Sequence, residues 1–358
     1  MANLVHGGDI YSAREKGMNE ILDFSANINP KGLPKRVKEA INACLDSCVN
    51  YPDPLCRELV AAISEFEEID RKNIICGNGA ADIIFRLVLA LKPKKAMVLA
   101  PTFAEYEQAL ETVGCNTTHF MLKEQEDFAI DEVEYLSALD DSLDVVFLCN
   151  PNNPTGQLVS KDLLEKILEK CVQNKTLLVL DECFIEFIEN YQQYTMKKYV
   201  ETCENIFILK AFTKSYAMPG IRLGYGMTSN GELMNQIEKM GQPWSVSVIA
   251  QAAGVQALKE VDYLEESLKE IRQERLYLVS ELNKLGIKTY MPTANYIFFN
   301  INNNKNYNVS DFKKKLLEKG IIIRDCSNYK GLTLGYYRIA VKSHSDNERL
   351  VYALKSII

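Results

Sequence analysis

The chain has 358 residues, 47% of them hydrophobic and 25% charged, with a formal net charge of -7 and a pI near 5.3. That balance predicts a soluble protein with core enough for two lobes, and it excludes bulk attraction to nucleic acid or an anionic membrane, so an anionic ligand must be held by a few local cations. Ten cysteines with no CxxC pair and only three histidines exclude a zinc site or a disulfide framework as the organising device, which fits a reducing, cytoplasmic setting.

The start, MANLVHGGDIYS, lacks a basic segment leading into an apolar run, and no stretch reaches the ~18 apolar residues of a spanning helix. Neither export nor membrane insertion is expected. At 77–93, GNGAADIIFRLVLALKP places Gly77 and Gly79 before helically spaced apolar residues, a glycine loop opening a helix. Continuous apolar runs at 96–100, 144–149, 176–181 and 205–210 alternate with helical patterns such as 162–172. Unbroken apolar strands separated by helices predict an α/β fold with a mostly parallel sheet covered on both faces. Residues 254–285 read as one long charged helix ended by Gly286, a spine between lobes. Strands near 295–301, 321–324 and 336–341, with helices near 309–319 and at the end, predict a smaller α+β lobe. The polar tract at 300–308 reads as an exposed loop. The division expected is 1–45 as an N-terminal segment joining the small domain, 46–255 as the large domain and 256–358 as the small one.

Four features fall at strand ends, where ligands bind in such sheets. The glycine loop at Gly77 and Gly79, opening a helix, offers free backbone N–H groups able to hold a phosphate. NPNNPTG (150–156) is dense in turn formers, with Asn153 before Pro154 and Gly156 available for a positive φ. Asp181 closes the strand TLLVLD, and Lys214 follows the strand NIFILK in AFTKSYAMPGIRLG. Taken singly, each has a plain alternative: a common loop, a turn, an N-cap aspartate, a solvated lysine.

In this order the four motifs resemble the fold type I pyridoxal-phosphate enzymes of the aspartate aminotransferase superfamily, over nearly the whole chain. The resemblance implies a large domain built on a mostly parallel seven-stranded sheet plus a smaller α+β domain, and pyridoxal 5'-phosphate as cofactor. It implies that Lys214 forms the Schiff base, Asp181 pairs with the pyridinium nitrogen, Asn153 donates to the ring hydroxyl, and Arg222, Thr213 and the backbone at Gly79, Ala80 and Ala81 hold the phosphate. Phe103 falls where the family stacks an aromatic on the ring, with Tyr106 competing. Tyr51, in NYPDP, matches the tyrosine that reaches the phosphate of a neighbouring subunit, which implies a homodimer with shared sites.

Subfamily motifs narrow the reaction. HGGDIYS, DFSANINPKGLP, PWSVSVIAQ and IIIRDCSNYKGLTLGYYRIAVKSHSDNERL resemble the threonine-phosphate decarboxylases of cobalamin synthesis. Histidinol-phosphate aminotransferases share several features and are the nearest rival; serine phosphate is an alternative substrate for decarboxylation. Both families take a small phosphorylated amine, so a cationic pocket is implied, with His6, Gly7, Asn27, Asn153, Arg324 and Arg338 as substrate contacts. Arg324 and Arg338 meet in one pocket if their strands are neighbours. No metal and no nucleic acid is implied. Three departures stand out: Ala211 where relatives often carry a hydroxyl, Phe184 in place of a tyrosine, and Asp9 where an asparagine is expected.

Overall fold

The computed structural model describes residues 7–18, 20–302 and 309–357. Strand β1 (Leu22–Asp23) lies in the N-terminal segment; β2 (Ile74–Gly77), β3 (Lys95–Ala100), β4 (Asn116–Met121), β5 (Val145–Cys149), β6 (Leu177–Asp181), β7 (Ile206–Ala211) and β8 (Gly224–Met227) form one sheet in the order β2-β8-β7-β6-β5-β3-β4. β8 runs antiparallel to both neighbours and the other pairings are parallel. Six strands therefore share a direction, and Gly77, Ala100, Cys149, Asp181 and Ala211 all end on one edge. A mostly parallel seven-stranded sheet is thus present.

Alternation along the strands shows why both faces are covered. On β5, Val146 and Leu148 belong to one buried cluster and Val145 and Phe147 to another; Leu178 and Leu180 oppose Leu177 and Val179 on β6 in the same way. Burying each such side chain is worth roughly 1.5–3 kcal/mol, and with apolar burial on both faces no polar alternation remains for a solvent side. The helix Lys161–Asn174 shows the matching pattern: Ser160 caps it by accepting from Leu163 N, Lys175 ends it in the left-handed region, and Leu163, Leu164, Ile167, Leu168 and Cys171 are buried.

The long helix expected at 254–285 is two helices, Val248–Ala257 and Val261–Lys284. Leu258 is buried in the core under the large sheet, whereas Ile271, Leu278 and Leu282 join the core of the second lobe. A straight helix could not present these positions to two different cores, so the chain turns at 258–260.

The second lobe holds β9 (Lys288–Thr289), β10 (Tyr296–Asn300), β11 (Ile321–Ile322), β12 (Arg324–Asp325) and β13 (Tyr336–Ala340). The single strand expected at 321–324 divides: β11 pairs in parallel with β1, while β12 pairs antiparallel with β13 in the sheet β12-β13-β10-β9. The N-terminal segment is stitched to this lobe further by Phe24 N to Ile322 O and Ala340 N to Phe24 O, both 2.8 Å. Among the described residues, no helix is long and apolar enough to cross a membrane. Much of the 300–308 tract lies outside the described residues.

Candidate active site

The parallel strand ends and the N-terminal segment enclose a cleft of about 230 Å³. At its base Asp181, 5% exposed, ends β6. Its Oδ2 accepts from Tyr106 Oη at 2.5 Å and its Oδ1 from Cys183 N at 2.9 Å. Both oxygens are thereby fixed by donors. Phe103 lines the cleft, while Tyr106 is fully buried beneath it, packed between Phe103 and Phe147. The two aromatics differ in depth: Phe103 faces the cavity and Tyr106 supports the carboxylate.

Lys214 stands on a short helical turn, Phe212–Ser215, directly after β7. Its Nζ lies 6.0 Å from the Phe184 ring centroid. Burial, then the positive charge of Arg338, pulls the Lys214 ammonium down to about 8. An amine so shifted is part neutral near physiological pH and able to act as a nucleophile.

The Gly79 end forms an anion cradle. Gly79 has φ 86° and precedes the helix Ala80–Leu91, so the first backbone N–H groups of that helix, at Ala80 and Ala81, border the cleft beside Thr213 and Arg222. A Cβ on Gly79 would lie 2.6 Å from Arg222 Nη2, and one on Gly224 2.5 Å from Ala80 N. Glycine is demanded at 79 by its positive φ and at 224 by the close approach of backbone; at 220 nothing lies within 4 Å of an added Cβ.

The second lobe closes the other side. Arg324 and Arg338 are directly opposite each other across the β12–β13 pair, 8% and 5% exposed. Arg338 Nη2 donates to Ser25 O at 2.6 Å, and Nη1 donates to Asn153 Oδ1, so the Asn153 amide presents Nδ2 to any further partner. Arg324 Nη2 donates to Asn328 Oδ1 at 2.9 Å, and its guanidinium lies 5.1 Å from the Tyr329 ring. Gly7 and Asn27 also line the cleft. Asp9 caps the helix Ile10–Glu15 by accepting from Ser12 N, a task an asparagine would share, and hydrogen bonds from the Ser12 side chain and backbone lower its pKa. His6 lies outside the described residues. Tyr51 does not line the cleft of its own chain: it is 80% exposed and stacks on Trp244 at 4.6 Å.

Sequence reasoning missed Glu105, Ser25 and Tyr329, all of which line the cleft. Glu105 had a readable signal, since it sits between Phe103 and Tyr106 in PTFAEY. Burial pushes its carboxyl up to about 7, against the opposing pull of Lys214 and Arg324. Asn152 was also missed. It staples the NPNNPTG loop, accepting from Thr102 Oγ1 at 2.7 Å and donating to Pro101 O and Thr155 Oγ1, while Gly156 takes φ 76°.

The described residues contain no cluster of three metal-ligating side chains, but they fit a flat phosphorylated heterocycle. Asn27 Oδ1 and Arg338 Nε are buried without a partner. The base holds a fixed carboxylate, one wall an amine, and the Gly79 end an anion cradle; pyridoxal phosphate is the cofactor these features suit.

Comparison with known proteins agrees. The chain is 36% identical to a threonine-phosphate decarboxylase of Salmonella typhimurium over 99% of its length and 97% of the relative's. It is 32% identical to the adenosylcobalamin biosynthesis bifunctional protein CobDQ of Leptospira interrogans, covering 98% of this chain and 41% of that one. A histidinol-phosphate aminotransferase structure from Clostridium acetobutylicum superposes with a TM-score of 0.87 at 33% identity, covering 94% of this chain and 99% of the other. Residues 19–357 match the model of the aminotransferase class I and II family. With its fold type I architecture and pyridoxal phosphate cofactor, the chain belongs to the aminotransferase class I and II family of enzymes.

Proposed function

We propose that the protein decarboxylates L-threonine O-3-phosphate to (R)-1-amino-2-propanol O-2-phosphate in cobalamin synthesis. The observation that carries this reading is the opposed, buried Arg324–Arg338 pair in the cleft that holds Lys214 and Asp181. Two guanidiniums side by side suit a dianionic phosphate better than a lone carboxylate. The threonine-phosphate decarboxylase relative, matched over nearly the full length of both chains, supports the same choice.

Pyridoxal phosphate, when bound, supplies an electron sink for the pair released at the substrate Cα. Everything else falls to the chain's own residues. Asp181, its two oxygens held by Tyr106 Oη and Cys183 N, would accept from the ring nitrogen. Asn153, its Oδ1 committed to Arg338, would donate through Nδ2 to the ring hydroxyl. The Gly79–Ala81 backbone, Thr213 and Arg222 take the cofactor phosphate. Arg324 and Arg338, with Asn27, Gly7 and His6, would take the substrate phosphate and so orient its carboxylate for loss as CO2. Phe103 and Phe184 exclude water from the reacting atoms. Lys214 Nζ, released from its covalent role, holds a proton and delivers it to Cα, replacing the departed CO2.

The remaining assignments belong to the same proposal. Tyr51, which does not line its own cleft, serves the site of a second copy, so the enzyme acts as a homodimer, in the cytoplasm. The functional lobes divide at 1–45, 46–255 and 256–358.

A second reading is favoured by the 33% identity to a histidinol-phosphate aminotransferase: transamination of a phosphorylated amine. Incubating the holoenzyme with threonine phosphate, with serine phosphate, and with histidinol phosphate plus 2-oxoglutarate separates the three. CO2 from threonine phosphate in excess of serine phosphate supports the proposal. Glutamate without CO2 transfers the assignment to the aminotransferase.

A further inference from the structure

Lys210 lies four residues before Lys214, on β7, and it points into the protein core. It is 1% exposed, with Nζ 2.9 Å from Glu67 Oε1 and 3.2 Å from Glu186 Oε1. Glu67 also accepts from Tyr225 Oη at 2.5 Å and lies 3.6 Å from Lys197. These charges are buried and satisfied, which is costly to arrange for stability alone, because apolar residues of similar volume would serve as well.

The network does not end in the core. The second oxygen of Glu186 accepts from Ser215 Oγ at 3.0 Å, and Ser215 is the residue after Lys214. From the other side Asn29 Nδ2 donates to Ser215 O at 2.8 Å and Asn29 N donates to Lys214 O at 3.2 Å. The same Asn29 amide donates to Ser267 Oγ on the helix Val261–Lys284 at 2.8 Å. The turn bearing Lys214 is thus held by its hydroxyl from the buried ion network, and by its two carbonyls from the N-terminal segment. Thr213 faces the cleft beside them. Nothing in the proposed chemistry uses Lys210, Glu186, Ser215 or Asn29 directly.

We propose that Glu186 and Asn29 are positioning residues for Lys214: through Ser215 they lock the backbone at 214–215, so that Nζ is presented to the cleft in one orientation relative to Asp181. Lys210 holds Glu186 in place by sharing its charge between Glu186 and Glu67. The inference rests on Lys214 being the residue that carries the cofactor. A turn held by three elements loses orientation when one is cut, and a misplacement of about 1 Å costs up to roughly 100-fold in rate.

The test uses full-length holoenzyme carrying Glu186→Gln, Ser215→Ala or Asn29→Ala. Ser215→Ala removes one hydroxyl and is the variant expected to fold even if the others do not. The expected result is a shift of about one unit in the pH at which the visible band of the Lys214–cofactor linkage titrates. A fall in kcat of about tenfold, with KM for the phosphorylated substrate unchanged, accompanies it. Glu186→Gln and Ser215→Ala share the Ser215–Glu186 contact, and Glu186→Gln also weakens the pairing with Lys210, so the double variant is expected to be no worse than Glu186→Gln alone. A lowered melting temperature with both the band titration and kcat at wild-type values would overturn the proposal and leave the network structural. Borohydride trapping followed by peptide mapping guards the premise. If Lys214 of the wild type is not the labelled residue, the functional reading fails and the positioning role falls with it; a labelled Lys214 with unshifted variants sinks the positioning role alone.

Discussion

Arg324 and Arg338 are register partners on adjacent antiparallel strands, with both guanidiniums buried at the cleft. Like charges placed directly opposite across strands repel, so an arrangement of this kind is tolerated where an anion is to be received. Arg338 is further tied to Asn153 and Ser25; Arg324 reaches Asn328 and lies over Tyr329. The two are therefore expected to differ on substitution.

Arg324→Met is expected to raise KM for the phosphorylated substrate about 100-fold, near 3 kcal/mol, with a smaller change in kcat. Arg338→Met should lose kcat as well and cost about 2 kcal/mol of stability, because Asn153 and Ser25 O lose a donor inside the protein. Steady-state kinetics and urea unfolding distinguish the two. Equal and purely KM-based losses would contradict the assignment.

Lys214 titrates near 8, below the ordinary lysine range, because burial and Arg338 disfavour its charge. At pH 7 about a tenth of the amine is neutral, and the neutral fraction rises tenfold by well above pH 8. Cofactor-free protein should therefore bind pyridoxal phosphate covalently at a rate that climbs with pH and levels off above 8. Lys214→Ala should show no reducible adduct at any pH. The stability effect has a definite sign: the unfolded chain keeps this proton to higher pH, so stability rises as pH increases from about 8 towards the ordinary lysine value.

Glu105 carries the opposite shift. Its carboxyl is raised to about 7 by burial, so the folded state keeps a proton that the unfolded state has released above its ordinary value. Its contribution to stability is therefore lost as pH rises towards 7. Glu105→Gln should remove that loss, so its melting temperature gains on the wild type between pH 5 and 8. An ionised Glu105 also opposes a substrate carboxylate. KM of the wild type should rise on the order of tenfold between pH 6 and 8, and the variant's should stay flat.

Gly224→Ala places a Cβ 2.5 Å from Ala80 N and 3.0 Å from Lys210 O. Backbone on both sides cannot yield cheaply, so a loss of about 1–3 kcal/mol is expected in urea unfolding, together with faster loss of cofactor on dialysis. Gly220→Ala, facing open space, should change neither.

The sequence by itself determined the elements whose cause is local. The apolar runs that became β3, β5, β6 and β7 announce burial on both faces, and Asp181, Asn153, Gly79 and Lys214 each follow a strand whose direction fixes where its end must lie. Because parallel strands end on one edge, their order in the chain was enough to bring Asp181, Asn153, Lys214 and the helix start after Gly79 to one cleft. What only the tertiary structure decided depends on contacts between distant segments. The division of 321–325 between two sheets needs β1 and β13 as partners, and the break at 258–260 arises because two cores compete for one helix. Glu105 and Tyr329 owe their place in the site to burial by remote walls, and the Glu67–Lys210–Glu186–Ser215 network joins residues up to 143 positions apart through hydrogen bonds that no local pattern encodes. Propensity and periodicity act over a few residues; the pairing of a buried charge is settled only when the chain has closed around it.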